Sequence, residues 1–535
     1  MIHISTSFAL LVVAIIILVC IAGSRLSGRL GVPTLFIFIM LGMLFGSDGI
    51  FKIPFGNFAL AEQVCSVALI FIMFYGGFGT RWSEAKPVAG RSILLSSVGV
   101  VLTALLTGLF CHLVLKMALM EGMLLGAVLG STDAASVFSI LRSRKLNLKY
   151  GTASMLELES GSNDPFAYMM TVILLSAMTG SVSGGSAVLL LIRQLAFGLL
   201  TGAAIAFLVT WLLKRYAFYG EGFDTIFVFA AAIISYALAS QIGGNGYLSV
   251  YLTGIILGNQ ELKNQKALVG FFDAFTGMMQ MLLFFLLGLL AFPSQMPSIV
   301  LPAIAIALFL TFVARPAAVG LLLAPSKPPI GQYLVISWAG LRGAASIVFA
   351  IMATLSEGYM KYDIFHIVFC VVLFSIIFQG SLLPKVAEKC DMIDNSTDVM
   401  RTFSDYTGDM QIQFVQLPIG DNHPWKNRKI CEIEMLPGML ITVIRRGAQT
   451  IVPKGQTVIQ EGDTVVLGAE GFTDSQGILL KEILMTPDHR WCGKKIAEAR
   501  FYKNTIIVMI KLRLCFFSSC STNLFSSFNR FISLM

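Results

Sequence analysis

The chain reads as an all-α polytopic membrane protein carrying a small cytoplasmic α+β domain. Three observations predict this. Of its 535 residues, 56% are hydrophobic and 13% charged, with a mean hydropathy of +0.80; soluble domains carry about 25% charged residues. Hydrophobic segments follow one another from the N-terminus to about residue 384. From about Cys390 the character changes to a polar linker and then to short strand-like runs with turn signals.

Thirteen hydrophobic segments can be drawn: about 5–23, 32–47, 59–79, 92–115, 121–141, 152–178, 187–213, 224–241, 246–259, 269–292, 297–323, 330–355 and 362–384. Each spans a bilayer or nearly so, once tilt and broken helices are allowed. The first has no basic flank before it, so it reads as a retained span, with a signal peptide as the alternative.

Orientation follows from the basic residues in short loops. With the N-terminus outside, the cytoplasmic loops hold Arg25, Arg29, Arg81, Lys86, Arg91, Arg142, Arg144, Lys145, Lys149, Lys214, Arg215, Lys263, Lys266, Lys327, Lys385 and Lys389. The opposite loops hold only Lys52, Lys116 and Lys361. The bias is 16 to 3 and supports an odd span number with a cytoplasmic C-terminus. Because the basic residues are spread through loops, the net charge of +8 does not point to nucleic acid.

The nine cysteines show no CxxC or CxxH spacing, so neither a zinc site nor a disulfide framework is expected. None of the five histidines has a Ser or Cys partner nearby in sequence, and hydrolase chemistry has no support. No cofactor is implied and the chain is not expected to be an enzyme.

The soluble part divides into a linker at 391–404, a domain at 405–485, a partial second copy at 486–512 and an atypical tail at 513–535. The repeat is direct. The run HPWKNRKICEIEMLPGMLITVIR from His423 aligns without gaps with HRWCGKKIAEARFYKNTIIVMIK from His489, at an offset of 66. Trp425 matches Trp491, Ile430 matches Ile496 and Glu432 matches Glu498. After Lys511 the likeness stops, and the Ser-, Phe- and Cys-rich tail reads as an interrupted copy, from a frameshift or alternative terminus. A genuine short hydrophobic tail is the other reading.

The sixth segment carries the stretch ELESGSNDP, from Glu157 to Pro165. Three carboxylates here are costly, because one central Asp disfavours insertion by about 2.5–3.5 kcal/mol. On a helix Glu157, Ser160 and Asp164 share a face, and Glu159 and Asn163 share an adjoining one. Asp164 and Ser160 offer the hard oxygens that a dehydrated monovalent cation needs, and a carboxylate also takes a proton. A group that binds either, never both, is the minimum machinery for exchange. A structural polar network between helices is the alternative, and the role of Glu157 stays open.

The fifth segment places Gly130, Ser131, Thr132 and Asp133 at mid-membrane, where hydroxyls and carboxylate compete for backbone groups and can break the helix. The twelfth reads SWAGLRGAAS, with Gly340, Arg342 and Gly343 at a similarly breakable centre. It stands seven segments after the fifth, as two units of six joined by one span require. Paired interrupted helices point to the binding site of a transporter. Arg342 needs a partner at this depth, and Glu159 is the expected one, as a structural ion pair. Glu62, Arg193, Arg315 and Asp273 lie near segment ends and are not expected to be site residues.

GSTDAASV, ESGSNDP and SWAGLRGAAS, in this order and in these segments, resemble the monovalent cation:proton antiporter-1 family, NhaP branch. The resemblance covers about 1–390, and NRKICEIEMLPGMLITVIRRG with PKGQTVIQEGD resembles a TrkA C-terminal (RCK-type) regulatory domain. It implies an NhaA-like fold with inverted repeats and crossed broken helices, forming a homodimer in a bacterial inner membrane. It further implies Asp164 as the shared cation and proton carboxylate, Asn163 as its neutral neighbour, and Ser160 and Thr132 as cation ligands. Asp133 belongs to the crossed helices, and Glu159 pairs with Arg342. The substrates implied are K⁺ and H⁺, with Na⁺ as the alternative; no metal other than a monovalent cation is expected. Asn163 in place of a second carboxylate implies one-for-one electroneutral exchange. Some sodium-selective members carry Glu at the end of the third span, where this chain reads Phe74, Tyr75, Gly76, Gly77.

Two other classes fit the sequence less well. A gated channel lacks a TVGYG-like filter. An intramembrane enzyme leaves Arg342 unexplained. The RCK-like domain shows no GxGxxG after a strand, so nucleotide sensing is unsupported.

Overall fold

The structure is a computed structural model. It describes residues 6–30, 33–143, 146–181, 184–215, 222–260, 262, 265–356, 358, 360–394, 412–421, 423–433, 435, 439–447, 449–470, 480–484, 506–513 and 528–534. The chain divides into two compact units, Met1–Gly408 and Asp409–Met535.

In the first unit the described residues form helices where hydrophobic segments are expected. They are α1 (Thr6–Leu30), α2 (Thr34–Phe45), α3 (Phe58–Gly79), α4 (Ala89–Leu113), α5 (Leu119–Val128), α6 (Ala134–Ser143), α7 (Thr152–Met178), α8 (Gly184–Arg215), α9 (Phe223–Gln241), α10 (Gly246–Gly258), α11 (Gln265–Leu290), α12 (Pro293–Ser326), α13 (Ile330–Trp338), α14 (Ala344–Leu355) and α15 (Ile364–Lys389). Seven helices among the described residues are long and apolar enough to cross a membrane. The fifth segment is two half-helices, α5 and α6, and the twelfth is two more, α13 and α14. The sequence of each break explains it. Gly130 through Asp133 and Gly340 through Gly343 put small and polar residues where a helix would need apolar ones, and the backbone leaves the helix at both. By contrast α7 runs unbroken through Pro165, and the Asn245 side chain donates to the Pro165 carbonyl at 2.9 Å.

The repeat relation is visible in the packing. A Cβ on Gly77 of α3 would lie 2.3 Å from the Tyr251 carbonyl of α10, and one on Gly254 would lie 2.3 Å from that of Phe74. The helices seven segments away repeat the close approach: α11, seven after α3, meets α2, seven before α10. A Cβ on Gly288 would be 2.2 Å from the Ile39 carbonyl, and one on Gly42 would be 2.1 Å from that of Phe285. Only glycine lets these backbones touch, the usual way membrane helices pack. Single π-turns interrupt α4 at Leu95–Gly99 and α12 at Leu310–Ala314, again seven segments apart. A third lies in α15 at Ser375–Gly380. Such turns cluster at functional sites.

The second unit is antiparallel β. Strands β1 (Ile412–Pro418), β2 (Met439–Arg446), β3 (Gln449–Ile451) and β4 (Asp463–Glu470) form a sheet in the order β1-β4-β2-β3. Its core is Ile419, Ile441, Ile444, Ile459, Val465 and Leu467. Strands β5 (Leu480–Leu484), β6 (Ile506–Arg513) and β7 (Phe528–Leu534) form a second sheet in the order β5-β7-β6. The two sheets match at the offset of 66 seen in sequence. Leu440 pairs with Gly468 in the first, and Ile506 with Leu534 in the second. Even the register shift recurs, at Ile441/Val443 and at Ile507/Met509. The tail after Lys511 therefore supplies, as β7, the strand that β4 supplies in the first copy. Its composition hid this, since Ser and Phe replace the Val-rich run of β4. The Trp491, Ile496 and Glu498 matches lie outside the described residues.

Asp463 is fully buried. It accepts from Arg446 Nε at 2.8 Å and Nη2 at 2.9 Å across the β2–β4 ladder, and from the Gln460 N–H at 2.8 Å. Arg446 beside it holds its carboxyl below the usual range. A depressed carboxyl stabilises the fold above the unfolded-chain value of about 3.9, and that stability is lost as pH falls through the folded value. Asp463→Asn should destabilise this unit by about 1–3 kcal/mol at neutral pH and flatten its acid unfolding below about pH 4. Pulse proteolysis of the full chain across pH checks both.

Candidate functional site

The two broken helices cross, and the crossing is made by backbone. The Asp133 N–H donates to the Leu341 carbonyl at 2.7 Å. A Cβ on Gly343 would sit 2.4 Å from that of Asp133, so Gly343 allows the approach. Breaking α5 frees carbonyls at its C-terminal end, which is the negative end of its dipole. Arg342 covers them: its Nη1 donates to Leu129 O at 2.5 Å and to Ser131 O at 3.0 Å. In turn the Arg342 N–H donates to Ser375 Oγ at 3.0 Å.

α7 brings the rest of the site to this crossing. Ser160 Oγ donates to the Thr132 carbonyl at 2.7 Å. Asn163 donates from Nδ2 to Thr132 Oγ1 at 2.5 Å and accepts the Thr132 N–H on Oδ1 at 3.3 Å. Ser131 Oγ donates to Asp164 Oδ1 in a short contact. Asp164, Asn163, Ser160 and Thr132 are all buried. The Ser131 and Ser160 hydroxyls each spend their proton on a protein acceptor, which leaves their oxygen lone pairs for a cation, and the Thr132 hydroxyl accepts from Asn163. A cavity of about 450 Å³ reaches Asp164, Ser160, Thr132 and Ser131, and its walls extend to Glu157, Tyr75 and Asp273. The Tyr75 hydroxyl donates to Asp273 at 3.0 Å.

The structure thus brings together the five residues expected to bind cation and proton. Asp133 lines the same cavity but has a second task. Its Oδ1 accepts the Ser136 N–H at 3.1 Å and its Oδ2 the Ser136 hydroxyl at 2.5 Å, which caps the N-terminus of α6. Ser131 joins the set as the hydroxyl on Asp164. It lay in the breakable run but carried no individual signal.

One expectation is corrected. Glu159 is bonded to Arg315, not to Arg342. Arg315 Nη1 lies 2.5 Å from Glu159 Oε1 and Nη2 lies 2.9 Å from Oε2, with both side chains buried. The reason is competition: Arg342 is committed to the α5 carbonyls, and the α12 π-turn ends at Ala314, immediately before Arg315. Sequence position alone put Arg315 near a span end. A charge beside Pro316 in an otherwise apolar run was the available signal.

Residues 14–389 match the family model for the sodium/hydrogen exchanger transmembrane region. The chain belongs to the sodium/hydrogen exchanger family. Residues 414–470 match the TrkA-C domain. A protein named K(+)/H(+) antiporter NhaP from Alkalimonas amylolytica is 36% identical over 71% of this chain and 66% of its own length. One named K(+)/H(+) antiporter NhaP2 from Shewanella sp. strain MR-4 is 33% identical over 86% of this chain and 81% of its own. Among solved structures, the sodium proton antiporter MjNhaP1 from Methanocaldococcus jannaschii superposes with a TM-score of 0.63. It is 23% identical and covers 72% of this chain and 99% of its own, so the exchanger fold is shared.

Removing one partner of the Glu159–Arg315 pair should destabilise the first unit by about 3–5 kcal/mol, whereas replacing both by apolar residues restores most of it. Thermal unfolding in detergent of Glu159→Leu, Arg315→Met and the double variant checks this. In a double-mutant cycle Glu159 should couple more strongly to Arg315 than to Arg342.

Proposed function

We propose that this chain is a secondary antiporter that moves K⁺, with Na⁺ as a lesser substrate, out of the cytoplasm against entering H⁺. The observation that carries the reading is the placement of Asp164. It is a buried carboxylate at the end of a cavity, ringed by hydroxyl and carbonyl oxygens, with a neutral Asn beside it. The names of the relatives, which describe K(+)/H(+) antiporters, support the substrate pair.

Asp164 takes either a cation or a proton, and Ser160, Thr132 and Ser131 complete the oxygen cage for the cation. Asp133 keeps the crossing rigid while lining the approach. The Glu159–Arg315 pair fixes α7 against α12 and takes no part in exchange. With Asn163 rather than a second carboxylate, one proton replaces one cation, and the cycle moves no net charge. The third-segment Phe74-Tyr75-Gly76-Gly77, without an acidic residue, favours K⁺ over Na⁺. The bias of basic residues puts the N-terminus outside and the TrkA-C domain in the cytoplasm, where it regulates transport. The protein works as a homodimer in the inner membrane of a bacterium.

Asp164→Asn should abolish cation-dependent proton flux in everted vesicles while leaving membrane insertion intact. Normal flux in that variant removes Asp164 from the mechanism. In proteoliposomes the wild-type exchange rate should be unchanged when a membrane potential is imposed, and strong potential dependence refutes the one-for-one cycle.

A further inference from the structure

The cavity wall follows α11 from Asp273 to Phe284 and stops short of its far end. Asp273, in the cavity wall, is near the start of α11. Leu290, at its other end, lies roughly 25 Å away at about 1.5 Å per residue. Just beyond it, at Phe292, the chain is tied down by a histidine.

His366 is buried in the first turn of α15. Its Nε2 accepts the Phe292 backbone N–H at 3.1 Å. A backbone N–H can only donate, so Nε2 carries no proton and the ring is neutral. The ring proton is on Nδ1 and is donated to Asp363 Oδ2 at 2.6 Å. Asp363 also caps α15 by accepting the His366 N–H at 3.1 Å. The ring packs against Phe292 and Phe365. The same turn is held a second time by Asp48, whose Oδ2 accepts the Ser294 N–H at 3.1 Å and its hydroxyl at 2.5 Å. The neighbouring loop is anchored by Glu121, which accepts the Lys361 N–H at 2.5 Å. The charged groups around the ring are therefore Asp363 on its own cap, Asp48 across the Ser294 turn, and Lys361 with Glu121 beside it.

We propose that His366 is a second proton-binding site, beyond the end of α11 far from Asp273, and that it latches the α11–α12 turn shut while it is neutral. A second proton must go to Nε2. It replaces the acceptor with an N–H donor, so the bond from Phe292 breaks, while Asp363 keeps its bond to Nδ1. The latch is closed in this conformation, whose cavity stops short of it. Protonation removes a bond that holds this conformation and so shifts the population toward one open at the latch. Protons arriving at that end then open the path to the site they are to occupy. This step rests on the antiport reading above; the proton site itself does not.

The test is hydrogen–deuterium exchange of the full chain in lipid nanodiscs at pH 8 and pH 6. Each peptide is normalised to an unstructured reference, which removes the intrinsic pH dependence of exchange. Amide protection in 291–295 should fall roughly tenfold in the wild type on going to pH 6. His366→Gln offers a carbonyl that accepts the Phe292 N–H without titrating, and should keep that protection at both pH values. Asp363→Asn keeps the cap but lacks the charge facing Nδ1, and should retain more of the protection at pH 6 than the wild type; this arm decides the matter where His366→Gln does not fold. Asp164→Asn should behave as the wild type, which separates this site from the exchange carboxylate. Three results overturn the proposal: no pH-dependent loss in the wild type, an undiminished loss in His366→Gln, or a loss abolished by Asp164→Asn.

Discussion

Where two helices break inside a bilayer, each exposed N–H and C=O must find a partner in the protein, because lipid offers none. The crossing of the fifth and twelfth segments is built around that requirement. Arg342 takes Leu129 O and Ser131 O, Asp133 N–H takes Leu341 O, and Ser160 takes Thr132 O. Asn163 takes both the N–H and the hydroxyl of Thr132. Ser375, from the π-turn of α15, receives the Arg342 N–H and donates to Gln379 at 2.5 Å. The same bonds that satisfy the broken backbone also place oxygens around Asp164. Solvation of the break and construction of the cage are one event.

The charges divide accordingly. Glu159 faces Arg315 across two buried side chains in a two-point pair, a geometry that resists exchange with an ion. Arg342 faces carbonyl dipoles and so holds structure without consuming a carboxylate. Asp133 spends both oxygens on Ser136. Asp164 is left with a single hydroxyl donor, Ser131, on one oxygen. Asp133 is fixed by a backbone N–H at a helix cap, whereas Asp164 is held by a hydroxyl that can turn away. An exchanger needs that weakness, because a carboxylate locked by an arginine would release neither ligand.

Much of this could be read from the chain. The segments were drawn by length, and the two breaks by Gly-Ser-Thr-Asp and Gly-Leu-Arg-Gly, since small polar runs at mid-membrane have few other uses. The face shared by Ser160 and Asp164 followed from helical spacing. Partner choice did not follow. Arg315 and Arg342 are both single arginines in apolar runs, and only the crossing shows that one is claimed by carbonyls before Glu159 can reach it. Ser375 was invisible for a similar reason, because a π-turn shifts the face that a residue presents and leaves no mark in a hydropathy pattern. In the second unit the tail misled, since its composition argued against a strand while its distance from β6 matched that of β4 from β2.

That match constrains how the second unit is built. In each sheet the last strand in sequence lies between the first two: β4 between β1 and β2, β7 between β5 and β6. A central strand pairs along both edges, so its backbone N–H and C=O groups are satisfied by neighbours on two sides. The pairing Gly468 to Leu440 and to Phe414 returns as Leu534 to Ile506 and to Leu480. A sequence as unlike β4 as FNRFISL can occupy that position because backbone pairing is blind to composition. What the position requires is length, extended geometry and freedom from proline, and Phe528–Leu534 meets all three.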